Sequence, residues 1–154
     1  MSQTPYWRLQ TLLVSIVISL VVSVFSLGML LNIPLFTAHF LNNLWWLWGS
    51  VVIVPVVLWG AKANQGIILG ALTVFCLYQV GFTYIASGWS ARDGLAWLLY
   101  FFGLPGGYIG AFIAIFVSKK LEHKPQFAIG FMLSFLGVLF SYLFQLIGAF
   151  LSSL

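Results

Sequence analysis

Polar residues along this chain come in short clusters, and the stretches between them are almost wholly apolar. Five apolar segments result, at approximately 10–32, 43–61, 66–86, 95–117 and 127–151, each near the ~20 residues a helix needs to cross the hydrocarbon of a bilayer. The breaks are Asn32-Ile33-Pro34, then 61–65 (AKANQ), 87–94 (SGWSARDG) and 118–126 (SKKLEHKPQ). This pattern predicts an all-α, polytopic bundle of five transmembrane helices forming one membrane domain over residues 1–154. Residues 33–42 are too few to span and are expected to form an interfacial helix or a re-entrant segment.

Small residues mark the faces on which these helices are expected to pack. Lipid tails are as apolar as leucine, so association in a membrane depends on close backbone approach and interhelical hydrogen bonds. The first segment carries Ser15, Ser19, Ser23 and Ser26, which fall on one helical face. The third has Gly66 and Gly70 in a GxxxG pair, the fourth has Gly106 and Gly110, and the fifth has Gly130, Ser134, Gly137 and Ser141. Pro55 and Pro105 lie inside spans, and each removes a backbone N–H that neighbouring helices or hydroxyls must compensate. The run Gly103-Leu104-Pro105-Gly106-Gly107 is expected to kink or break the fourth helix.

Composition supports the same class. The chain has 154 residues, is 62% hydrophobic and has 5% charged side chains, against roughly 25% in soluble domains. A soluble domain of this size buries only about two-thirds of its surface, too little to hide so much apolar area. The first apolar run, Leu12 to Leu31, is longer than a signal-peptide core and no small-x-small site follows it, so it is expected to remain as an anchor.

Charge predicts orientation. With a cytoplasmic N-terminus, Arg8, Lys62, Lys119, Lys120 and Lys124 lie inside and Arg92 alone lies outside, as the positive-inside rule requires; the C-terminus is then outside. The six cations are dispersed over loops and ends, so the net charge of +4 does not indicate nucleic-acid binding. Under this topology Trp7 and Trp59 mark the inner boundary, while Trp45, Trp46, Trp48, Trp89 and Trp97 mark the outer one. The stretch 39–48, HFLNNLWWLW, then reads as the place where the second helix enters lipid. The expected location is a multi-pass position in a membrane, most simply the bacterial cytoplasmic membrane.

The predicted spans hold no Asp, Glu, Lys, Arg or His, which argues against proton relays and voltage sensing. Asp93 and Glu122 fall on opposite sides, as do His39 and His123, so neither pair can act on one substrate or one metal. A single cysteine, Cys76, excludes an internal disulfide and a multi-cysteine metal site. No serine elbow or base–nucleophile pairing is suggested, and the chain is not expected to be an enzyme or to need a cofactor or metal.

What remains is a set of amides and aromatics gathered toward the predicted outer side. Asn42, Trp45, Trp46, Gln79, Tyr84, Trp89, Arg92, Trp97, Tyr100 and Gln145 are the candidate lining of an outward-facing pocket for a small apolar or amphipathic molecule. In the competing reading, Gln79 and Gln145 merely join helices, and Arg92 with Asp93 solvates the start of the fourth helix. The function expected is non-enzymatic binding or carriage of such a molecule; the alternative is an accessory or scaffold subunit of a larger membrane complex. Expected partners are membrane lipids, other membrane subunits or a second copy of the chain.

Overall fold

The computed structural model describes residues 5–30, 37–87, 94–121 and 124–152, with the backbone alone at Pro5, Met29, Leu30, His39, 94–99, Ala149 and Ser152. Five helices account for nearly all of it: α1 (Pro5–Phe25), α2 (Ala38–Gly60), α3 (Gln65–Ser87), α4 (Gly94–Lys120) and α5 (Gln126–Ser152). A π-helical turn, Ser26–Leu30, continues α1. There is no strand among the described residues, and all five helices are long and apolar enough to cross a membrane.

The boundaries differ from the hydropathy reading chiefly at α2, which begins at Ala38 instead of near residue 43. Thr37 caps it, its hydroxyl accepting from the Phe40 N–H at 3.1 Å, so Asn42 and Asn43 continue a helix already started. Residues 38–42 are therefore the first turn of α2, not a separate interfacial element, while 33–36 lie outside the described residues. In α4 the helix runs without interruption through Gly103–Gly107.

α2 and α3 are joined by a tight turn. The Ala63 N–H donates to the Leu58 carbonyl at 2.9 Å and the Lys62 N–H to that of Trp59 at 3.0 Å, the paired bonds of a Schellman motif. The left-handed position is held by Lys62, with φ 57°, where glycine avoids a steric cost of about 1–2 kcal/mol. The next residue but one, Asn64, accepts from the Gly66 N–H at 2.9 Å and starts α3. Lys62→Gly is expected to raise stability by about 0.5–1 kcal/mol, part of the relief being offset by the freer unfolded chain; thermal unfolding in detergent measures it.

α3 is the hub, touching each of the other four helices, while α1 packs on α2 and α3, and α5 on α4 and α3. Directions alternate along the chain. The start of α1 meets the end of α2, where an Arg8 guanidinium N–H donates to the Trp59 carbonyl at 2.8 Å and the cation lies 5.9 Å from the indole centroid. α3 and α5 run in the same direction: a Cβ at Gly66 would fall 2.9 Å from the Cβ of Gln126, and one at Gly130 would fall 2.8 Å from the Ile67 Cα. α4 opposes α5, so that Gly106 faces Gly137 and Gly110 faces Leu133 and Ser134.

These contacts bring main chain against main chain. A Cβ on Gly106 would strike the Gly137 carbonyl, one on Gly137 would strike that of Gly106, and one on Gly70 would strike that of Phe127. Dispersion between atoms this close is what holds helices together when the surrounding solvent is itself hydrocarbon. On the other side of α3, Ser15, Ser19, Ser23 and Ser26 are all fully buried. The Ser15, Ser26 and Ser134 hydroxyls have no partner among the described residues, so these three serve by small volume, not by bonding.

Candidate functional site

Two kinds of feature stand apart from routine packing: a network of hydroxyls joining the helices around the buried Tyr100 and apolar grooves on the flanks of the bundle. The network gathers on main-chain carbonyls of α2 and α4. Tyr78 of α3 donates to the Tyr100 carbonyl at 2.6 Å, five residues before Pro105. Ser141 and Gln145 of α5 donate to the Phe102 carbonyl at 2.6 and 3.1 Å, three residues before it. Tyr108 of α4 donates to the Ser50 carbonyl at 2.7 Å, five residues before Pro55. The carbonyls that lose an N–H to the prolines are those of Val51 and Phe101, so these foreign donors reach the carbonyls next to them, Ser50, Tyr100 and Phe102, and not the orphaned groups.

Side chains complete the knot. The Tyr100 and Ser50 hydroxyls are 2.8 Å apart, and those of Tyr78 and Tyr142 are 2.6 Å apart. The Tyr78 and Tyr100 rings stack with centroids 5.3 Å apart. Tyr100 is fully buried. Four helices, α2 to α5, meet through these groups. Of these groups the sequence pattern points to Tyr100 and Gln145 as pocket lining and to Ser141 as a packing residue, but not to their convergence with Ser50, Tyr78, Tyr108 and Tyr142.

Those residues expected to line one outward pocket that the structure describes are not gathered into one. Gln79 is fully buried and donates to the Ser23 hydroxyl at 3.1 Å, joining α3 to α1. Gln145 joins α5 to α4, and Tyr100 sits inside the knot. Trp45, Trp46 and Tyr84 are about two-thirds exposed on the outer surface of the bundle, and Asn42 is exposed as well. Trp45 packs edge-on against Trp48, and Trp46 against Phe101. Trp89 and Arg92 lie outside the described residues, and so does the side chain of Trp97. Both amides thus join helix pairs, and the described aromatics Trp45, Trp46 and Tyr84 face out from the bundle.

Three grooves open sideways between helices. One, of about 410 Å³, lies between α2 and α4 and is walled by Ile53, Val57 and Leu58 on one side and Ile109, Phe112 and Ile113 on the other. A second, also about 410 Å³, lies between α3 and α5 at Leu77, Gly81, Ile85 and Tyr142. A third, of about 480 Å³, runs over the Gly106–Gly137 contact. They fall in the lower part of the roughly 300–1,000 Å³ occupied by ligand sites. In the α2–α4 groove the single hydroxyl, that of Tyr108, is already committed to Ser50.

No group of three or more His, Cys, Asp or Glu that could hold a metal is found among the described residues. Asp93, Glu122 and His123 lie outside those residues, as does the His39 side chain. Comparison with known protein families, curated proteins and solved structures gives no match.

Proposed function

We propose that the protein is a non-enzymatic, five-span integral membrane protein, N-terminus cytoplasmic and C-terminus outside, that receives an apolar or amphipathic molecule in the α2–α4 groove. Entry is sideways from the bilayer, not through a polar mouth at the outer surface. The observation that carries this reading is the chemistry of the groove: its lining is apolar, it opens laterally, and its one hydroxyl is already bonded within the protein. Such a wall rewards hydrocarbon and offers a polar solute nothing to replace its water. Gln79 and Gln145, the amides best suited to hold a polar ligand, are already bonded to neighbouring helices.

Photolabelling tests this directly. The full chain in proteoliposomes containing a palmitoyl probe with a diazirine on its chain is expected to be labelled mainly at residues 53–58 and 109–113. Ile113 lies on the exposed rim, 44% accessible, so Ile113→Trp fills the groove without entering the core and is expected to reduce that labelling about fivefold. Labelling spread evenly over α1, α5 and the groove would overturn the proposal.

One observation favours the accessory-subunit reading. α5 is covered by α3 and α4 along one side and turns Phe135, Phe140, Phe144 and Phe150 outward. A stable partner retained in mild detergent supports it, and a monodisperse monomer rejects it.

A further inference from the structure

We infer that the occupant of the α2–α4 groove is one anionic glycerophospholipid of the cytoplasmic leaflet, its acyl chain along the groove and its phosphate held by Lys119 and Lys62. The inference deepens the reading above and rests on it. The groove lies toward the ends of α2 and α4 that carry lysine: Leu58 precedes Lys62 by four residues, and Phe112 precedes Lys119 by seven. Seven residues are close to two helical turns, so Lys119 projects from the face of α4 that walls the groove. Phe116, one turn on from Phe112, continues that wall; the two rings pack edge to face with centroids 5.3 Å apart. The Lys119 ammonium lies 5.9 Å from the Phe116 centroid, so an apolar path of aromatic rings leads directly to a cation.

The sign of the local field supports an anion in spite of the helix geometry. α2 and α4 run in the same direction, so both present C-termini here, each equivalent to about half a negative charge. Lys62, Lys119 and Lys120 set three full positive charges against these ends and the Glu122 carboxylate of the same loop, leaving an excess of about one positive charge that favours phosphate. The Lys62 and Lys119 side chains are exposed, and no acid faces them among the described residues; Glu122, the one carboxylate of the neighbouring sequence, lies outside those residues. A neutral chain such as a free hydrocarbon would use the groove but not the lysines. A diacyl anion uses both.

The full chain in phosphatidylcholine nanodiscs, doped with diazirine-chain phosphatidylglycerol or diazirine-chain phosphatidylcholine, separates the outcomes. The expected result is at least fivefold stronger labelling of 53–58 and 109–116 by the glycerol lipid. Lys62→Gln together with Lys119→Gln should bring the preference to near unity, while phosphatidylcholine labelling persists and Lys119→Arg retains the preference; Arg8, Lys120 and Lys124 still hold the orientation. Equal labelling of the groove by both lipids, indifferent to the lysines, would overturn the anionic assignment and leave the groove reading intact. Absence of groove labelling by either lipid would overturn both.

Discussion

Gly106→Leu is expected to pull α4 away from α5 and to lower stability by about 3 kcal/mol or more. Overpacking of a core usually costs about 1–3 kcal/mol because side chains rotate out of the way. Here no side chain can yield. A Cβ on Gly106 would meet the Gly137 carbonyl oxygen and, at 2.7 Å, the Cβ of Ser141. The main chain of a helix cannot shift locally without losing its own hydrogen bonds, so both helices must separate. Separation also breaks the bonds from Ser141 and Gln145 to the Phe102 carbonyl, adding a loss that a simple clash would not. Denaturant titration in mixed micelles, followed by circular dichroism, measures the difference. Gly148→Ala and Gly49→Ala are the controls, since a Cβ at either has no neighbour within 4 Å; they should be neutral or slightly stabilising. A Gly106→Leu variant as stable as these controls would show that the α4–α5 contact is looser than the glycine register implies.

That contact is a useful measure of what sequence could reveal. Gly106, Gly110, Gly130 and Gly137 were legible as packing residues because only glycine permits such an approach, and GxxxG spacing places two of them on one face. Which stripe meets which was not legible, since spacing gives a face and not a partner. The five apolar segments were legible because hydrocarbon excludes unpaired backbone and charge over the whole length of a span. The start of α2 was not: a hydropathy reading penalises Asn42 and Asn43, whereas a helix capped at Thr37 accommodates amides in its first turns at little cost. Gln79 and Gln145 were legible as buried or bonded amides, but their partners, a serine on α1 and a backbone carbonyl on α4, depend on the fold. Carbonyls carry no sequence signature of their own.

Tyr100 offers the second large effect and separates packing from bonding. Tyr100→Ala is expected to cost about 2–3 kcal/mol, below the ~3–5 kcal/mol seen for Phe→Ala in water-soluble cores. The difference has a physical origin. In water much of the loss is the transfer of the ring out of solvent, but a helix dissociated within a membrane keeps its ring in hydrocarbon, so the transfer contribution largely disappears. The cavity and lost contacts remain: Tyr100 is fully buried and packs against Tyr78, Phe82 and Phe101, with centroids 5.0–5.4 Å away. Tyr100→Phe removes only the hydroxyl at 2.8 Å from that of Ser50, and interhelical bonds in membranes average about 0.6 kcal/mol, so a loss of about 1 kcal/mol is expected. The Tyr78 bond survives that change because it is made to the Tyr100 carbonyl. Unfolding titrations of the two variants should therefore differ by at least a factor of two in lost stability. If Tyr100→Phe proved as damaging as Tyr100→Ala, the tyrosine cluster would be held mainly by its hydroxyls, and the stacked rings would be incidental to joining α2, α3 and α4.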